Sequence, residues 1–245
     1  MGMILGVLAV LLVSGLIASG IMYSRQQALA HREQRIRALR QKFEELQALY
    51  DIIFNADSKP DISIVLNQGL VEIARDIRAL DRANAEVQTL LNNLTARGTA
   101  LKEGRLLPKG EHVMNSEAAL STLLSSYAAI LQRLQRFKVR GTIAPHQYEE
   151  FSLYLRQMTL TTELDSHMAT AEAQLKDNDR LRAINHLKHC RELLKKTNLE
   201  IENKNERIKD ISDRIKLAES AVETESNSST VSTAPPPSAQ TGNAS

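Results

Sequence analysis

The chain has 245 residues, a formal net charge of +2 and a single cysteine. The near-neutral charge argues against a strongly basic face for nucleic acid, and one cysteine excludes an intramolecular disulfide. Aromatic residues make up only 4% of the sequence, whereas Leu, Ala, Gln, Glu, Arg and Lys dominate. Because these residues lose little side-chain freedom in a helix, the composition predicts an all-α protein of long helices or coiled coil.

The first segment of the chain is apolar. The run from Ile4 to Tyr23 contains no charged residue. As a helix it would span about 30 Å, the thickness of the hydrocarbon core of a bilayer. We therefore predict a single N-terminal transmembrane anchor over residues 1–23. A cleaved signal peptide is the alternative, since Ala18-Ser19-Gly20 could serve a peptidase, but no basic residue precedes the apolar run.

Basic residues follow the apolar run. They are Arg25, Arg32, Arg35, Arg37, Arg40 and Lys42. The positive-inside rule then predicts a single-pass protein of the cell inner membrane, with its N-terminus outside and its helical domain in the cytoplasm. An organellar membrane is the alternative. These residues could also face anionic lipid head groups, although setting the topology is the simpler interpretation. Small residues four apart, Gly2 with Gly6 and Gly15 with Ser19, could let two membrane helices pack together.

Apolar periodicity and turn residues predict the remaining elements. A juxtamembrane helix over residues 24–56 ends at Asp57-Ser58-Lys59-Pro60. An elongated antiparallel helical bundle follows over residues 57–222, with helices at about 61–98, 116–140, 145–176 and 179–222. Residues 99–115 form a long loop, which is either a binding element or a connector. Residues 223–245 are rich in Ser, Thr and Pro, which predicts a disordered tail.

Two of these helices carry a stripe of apolar residues that predicts an interaction seam. The seam comprises Ile73, Ile77, Leu80, Asn84, Val87 and Leu91 in the first helix of the bundle, and Leu194, Ile201, Ile208 and Ile215 in the last. Asn84 could fix the register or the oligomeric state, or it could lie exposed at the end of the bundle. Gly98 is expected to cap the first of these helices. The seam of the last helix is thin, so its distal end either packs weakly or awaits a partner.

Motifs that carry chemistry are missing from the sequence. It has no glycine-rich phosphate loop, GxSxG elbow, HExxH or CxxC pair, so we predict no enzyme activity, no cofactor and no small-molecule substrate. His186 and Cys190 lie four residues apart and could together reach a soft metal. A third ligand is not evident and His189 points partly away, so we predict no metal site. Mixed charges on the last helix indicate a solvated face and no nucleic-acid partner.

One segment resembles a tetratricopeptide helical hairpin. Ala171 to Cys190, with Asn178-Asp179 in the turn, is similar to the second half of such a repeat. Thr170 departs from the pattern, which usually has leucine there, and the match covers about one unit. The resemblance would imply a concave peptide-binding face, but a single unit cannot bury its own apolar surface. We therefore predict an ordinary helix–turn–helix here.

These features together predict a membrane-anchored helical scaffold or adaptor. It would act by protein–protein interaction, including self-association as a homo-oligomer, on the cytoplasmic face of the membrane. Its partners would be the lipid bilayer and an unknown protein. The alternatives are a helical-bundle sensor of ligand or stress and a tetratricopeptide-like adaptor. The sensor is disfavoured because such domains sit between two membrane helices, and the sequence has no second apolar span.

Overall fold

The computed structural model describes the backbone of residues 2–201 and 203–231, and the side chains of residues 22–201 and 203–224. Within this part of the chain every regular element is an α-helix, which confirms the predicted helical-bundle class. The helices are α1 (Gly2–Ala56), α2 (Asp61–Leu80), α3 (Ala85–Lys102), α4 (Glu117–Val139), α5 (Pro145–Lys176), α6 (Arg180–Lys196) and α7 (Lys204–Val231).

The helices form two compact units, which divide between Glu111 and His112. In the first unit α2 packs against both α1 and α3. In the second unit α4 packs on α5, α5 on α6 and α6 on α7. Within each unit, each helix thus contacts its neighbour along the chain, as short connections between helices favour.

Helix α1 runs without a break for 55 residues, so the predicted juxtamembrane helix is its second part. Its last turn extends into the predicted break, where Asp57 N donates to Ile53 O at 2.8 Å. Among the described residues, no helix is both long enough and apolar enough to span a membrane. Most of the predicted anchor, Ile4–Tyr23, falls outside that set, because side chains are described only from Met22 onward.

The prediction of one continuous helix over residues 61–98 is wrong, because this segment forms two helices, α2 and α3. The chain turns between Leu80 and Ala85, and Asn84 begins α3 as its N-cap. The Asn84 side chain accepts a hydrogen bond from Glu86 N at 3.0 Å, which satisfies one of the free N–H groups at the helix start. Asn84 therefore starts a helix and does not interrupt a continuous seam.

Gly98 does not cap a helix, contrary to the prediction, but lies inside α3. A Cβ atom at this position would come within 2.7 Å of Asn67 Nδ2 on α2. Asn67 is buried and fixed, since it donates to Leu94 O at 2.9 Å and accepts from Arg97 Nε at 2.7 Å. The glycine thus permits the close approach of α2 and α3.

The hydrogen-bond network around Asn67 joins all three helices of the first unit. Arg97 Nη2 donates to Gln47 Oε1 on α1 at 3.2 Å, and the guanidinium lies 3.9 Å from the ring centre of Tyr50. Apolar side chains surround this network. The core of the unit includes Leu46, Ile53, Ile62, Leu66, Leu70, Ala74, Ile77, Val87, Leu94 and Leu101.

The predicted loop over residues 99–115 begins only after Lys102, where α3 ends. Its middle is fastened to the end of α1 by backbone hydrogen bonds. Lys109 N donates to Phe54 O at 3.0 Å, and Gly110 N donates to Asp57 O at 2.7 Å. This part of the loop is therefore integrated into the first unit.

In the second unit, α4 and α5 agree closely with the predicted helices. Ser116 caps α4, accepting from Ala119 N at 3.2 Å, as serine at this position favours. Pro145 opens α5, which suits the fixed φ of proline in a first helical turn. The predicted helix–turn–helix is also present, formed by α5, the turn after Lys176 and α6.

The helix predicted over residues 179–222 is likewise two helices. The helix α6 ends at Lys196, and α7 begins at Lys204 after Asn203, which has a left-handed φ of 54°. Lys204 Nζ donates to Thr197 O at 2.8 Å across the break. Helix α7 then continues to Val231, into the segment predicted as a disordered tail, and the remainder of that tail, residues 232–245, lies outside the described residues.

Candidate functional site

The first half of the predicted seam lies on α2, α3 and the turn between them. Ile77 and Val87 are buried within the first unit. Ile73, Leu80, Asn84 and Leu91 are half-buried, so they are partly covered by the same unit. Three arginines of α2 and its turn, Arg75, Arg78 and Arg82, line a surface depression together with Leu91. This end of the unit is therefore basic as well as partly apolar.

The second half of the predicted seam contributes to the core of the second unit. Leu194 has no exposed surface and Ile215 is 2% exposed, while Ile201 and Ile208 pack against the same cluster. That cluster also contains Leu164, Ala171, Ala183, Ile184, Leu187, Cys190, Ile211 and Ala218. These seam residues are covered by their own chain, whereas Leu181 and Leu217 on the same helices are 65% and 73% exposed.

The basic residues after the apolar run all lie on the exposed surface of α1. Arg32 bonds Asp81, in the turn between α2 and α3, with an Nη2 to Oδ1 distance of 3.3 Å. Arg37 pairs with Glu33 one helical turn away on α1, at 3.5 Å. The first of these contacts brings the α2–α3 turn to the level of Arg32 along α1.

Three histidines and one glutamate form a cluster between α5 and α6. Glu163 and His167 lie one turn apart on α5, and His186 and His189 lie three residues apart on α6. Residues at these spacings share a helix face. The turn centred on Asn178, with a left-handed φ of 63°, folds the two helices back on each other and sets the two pairs face to face.

The cluster is closely spaced. His167 Nδ1 and His186 Nδ1 are 2.8 Å apart, so one nitrogen donates and the other accepts. His189 Nε2 donates to Glu163 Oε1 at 3.2 Å, and the rings of His167 and His189 meet edge to face with centres 4.5 Å apart. One ligand atom from each of Glu163, His167 and His189 lies within 4.8 Å of the others. The cluster thus offers several lone-pair donors at one surface position.

The surroundings of the central histidine favour its neutral form. Burial is the largest influence on His167 and lowers its pKa, and the neighbouring His189 and His186 lower it further. Glu163 and Glu117 oppose this shift, so carboxylates from both α5 and α4 act on the ring. A neutral imidazole has a free electron pair, which suits it to bind a cation.

Cys190, which the sequence pairs with His186, lies outside this cluster. It belongs to the core of the second unit, where its Sγ donates to Leu164 O at 3.7 Å. Burial raises the pKa of the Cys190 thiol to about 12, so the thiol stays protonated at neutral pH. A buried thiol of this kind is a structural residue and is inert toward alkylating reagents.

Glu163 and His167 were not predicted as site residues from the sequence, and His189 was predicted to point partly away. The signal was available in the turn, because Asn178 lies midway between His167 and His189 along the chain. If two helices fold back symmetrically about that residue, these histidines must lie opposite each other. Helical spacing relates residues of one helix only, whereas the hairpin between α5 and α6 brings these ligands together from two helices.

Comparison of the chain with models of known protein families, with curated proteins and with solved structures finds no match.

Proposed function

We propose that this protein is a membrane-anchored helical scaffold or adaptor, which acts through protein–protein interaction on the cytoplasmic face of the membrane. Residues 4–23 would insert in the bilayer and residues 24–231 would lie outside it. The observation that carries the proposal is the continuity of α1 from Gly2 to Ala56. The uncharged run belongs to the same helix as Leu46, Tyr50 and Ile53, which lie in the core of the first unit. A bilayer-inserted end would therefore hold this unit without a flexible linker.

The charge distribution of the first unit supports the same arrangement. Arg32 lies nine residues beyond Tyr23, or about 14 Å along a helix, and it bonds the α2–α3 turn through Asp81. The exposed Arg78 and Arg82 therefore come near the level where anionic lipid head groups would lie. Juxtamembrane arginines are attracted to such a surface by about 1 kcal/mol each.

We expect the full chain to remain in the membrane pellet after alkaline carbonate extraction. Arginine in the middle of a membrane helix costs about 2.5–3.5 kcal/mol, so Leu11→Arg with Leu12→Arg should release the protein into the supernatant. Replacing the same two leucines by isoleucine provides the matched control and should leave the protein in the pellet. Recovery of the unmodified chain in the supernatant would contradict the proposed anchor.

A test of the orientation requires a cysteine on the surface, since the buried Cys190 should not react with a maleimide. We would introduce Ser121→Cys on the exposed surface of α4 in a chain that carries Cys190→Ser. The proposed orientation predicts labelling by a membrane-impermeant maleimide only after the cells are permeabilised. Labelling in intact cells would place the second unit on the opposite face.

The interaction part of the proposal is supported by apolar side chains that the second unit leaves exposed. Leu217 on α7 is the most exposed of these in α6 and α7. A photo-crosslinking amino acid at position 217 is expected to give a discrete adduct in membranes, by contacting either a partner or a second copy. The same probe at the exposed Lys209 of α7 is the control. Equal crosslinking at both positions, or none at either, would argue against a specific contact at this surface.

A further inference from the structure

We propose that Glu163, His167 and His189 bind one divalent transition-metal ion, with Zn²⁺ as the representative species, between α5 and α6. Two imidazole nitrogens and one carboxylate oxygen would be the protein ligands. These three ligand atoms lie within 4.8 Å of one another although they come from two different helices. The site is formed within the second unit and does not depend on membrane insertion.

The spacing of the ligand atoms fits a tetrahedral ion. Zinc binds nitrogen and oxygen at about 2.0–2.2 Å, which puts neighbouring ligand atoms of a tetrahedron about 3.3 Å apart. Glu163 Oε1 and His189 Nε2 already have this separation, at 3.2 Å. Binding would replace the hydrogen bond between them by two bonds to the metal. The Nε2 proton of His189 would be lost to solvent and Nδ1 would carry the ring proton, so that the neutral imidazole binds through Nε2. The His167 nitrogen lies within 4.8 Å of both atoms, so it needs to approach by no more than about 1.5 Å.

His186 would orient the site without contacting the ion. Its Nδ1 lies 2.8 Å from His167 Nδ1, so His186 can accept a hydrogen bond from that nitrogen. Such a bond leaves the free electron pair of His167 on Nε2 and fixes the tautomer. Hydrogen bonds of this kind to a metal-binding histidine are common and strengthen metal binding.

The ligand set selects the class of ion. Imidazole nitrogens suit Zn²⁺, Ni²⁺ and Cu²⁺, whereas Ca²⁺ and Mg²⁺ require mostly oxygen ligands. The side chains of Glu163 and His189 are 25% and 46% exposed, so an ion can enter from solvent. Water can then complete the coordination.

Zinc titration of the full chain tests this site. The protein would be purified in detergent, stripped with a chelator and titrated with ZnCl₂ by calorimetry. We expect one Zn²⁺ per chain. His189→Ala and Glu163→Gln should each weaken binding by at least about 100-fold, since they remove a direct ligand, and His186→Ala should weaken it by about 10-fold or more. His146→Ala, at an exposed histidine near the start of α5, is the matched control and should bind as the unmodified chain does.

Replacing zinc by Co²⁺ gives a test that needs no substitution. The visible absorption of Co²⁺ in this site should have the intensity of a four-coordinate ion and should contain no thiolate-to-metal charge-transfer band. Such a band would show that Cys190 binds the ion, and it would overturn the proposal. Failure of the unmodified chain to bind Zn²⁺, or full binding by a folded His189→Ala chain, would overturn it as well.

Discussion

Replacing Asn67 by alanine is expected to lower the free energy of unfolding of the first unit by about 2–3 kcal/mol. Asn67 is 2% exposed and meets Leu94 O at 2.9 Å and Arg97 Nε at 2.7 Å. The substitution leaves the half-buried guanidinium of Arg97 without one of its two side-chain acceptors. It also opens a gap beside Gly98, where the Asn67 side chain occupies the space that a Cβ atom would need.

Hydrogen exchange of peptides from α2 and α3 would measure this effect. A loss of about 2 kcal/mol raises the exchange rate of amides that require opening of the unit by about 30-fold. Gln68→Ala, at the exposed neighbour on the same helix, is the control and should change stability by less than about 0.5 kcal/mol. Similar exchange in the two variants would show that the Asn67 network does not hold the three helices together.

A second large effect is expected at Leu194, at the end of α6. Its side chain has no exposed surface and packs in the core cluster of the second unit. Leu194→Ala should therefore lower the free energy of unfolding of this unit by about 2–5 kcal/mol, through lost apolar contact and the cavity left behind. Exchange of amides in α5 and α6 would report the loss.

Leu217→Ala provides the matched control, because the same chemical change is made at a side chain that is 73% exposed. It should alter stability by less than about 0.5 kcal/mol. The pair of variants also separates two roles for Leu194. If Leu194→Ala left the exchange of α5 and α6 unchanged, Leu194 would not be a core residue, and the sequence-based view of it as a partner contact would regain support.

Breaks between helices were the least predictable part of the fold. The apolar stripe continues in sequence from Ile77 through Leu80 to Val87, and nothing in its period reveals that the chain turns at Asp81. Asn84 was noticed as an exception, but the sequence alone could not distinguish a polar residue within a seam from a helix cap. The distinction depends on the backbone conformation at Asn84, which the packing of α3 against α2 decides.

What covers the apolar stripe of the last predicted helix could not be predicted from the sequence either. Period and spacing identify residues that seek burial, and Leu194 and Ile215 are indeed buried. Period and spacing do not identify which surface covers those residues. The break after Lys196 lets α7 fold back on α6, so the chain itself supplies the cover that a partner was expected to supply.

The sequence by itself determined that the described chain is helical, because its residues favour helices and its turn and cap residues fix where several helices end. It also determined that the first segment is uncharged and is followed by basic residues. Only the tertiary structure decided that Gly98 leaves room for the side chain of Asn67, and that Glu163, His167 and His189 lie together. The physical reason is that composition and periodicity are local properties. Contacts between residues on different helices depend on how the turns fold those helices together.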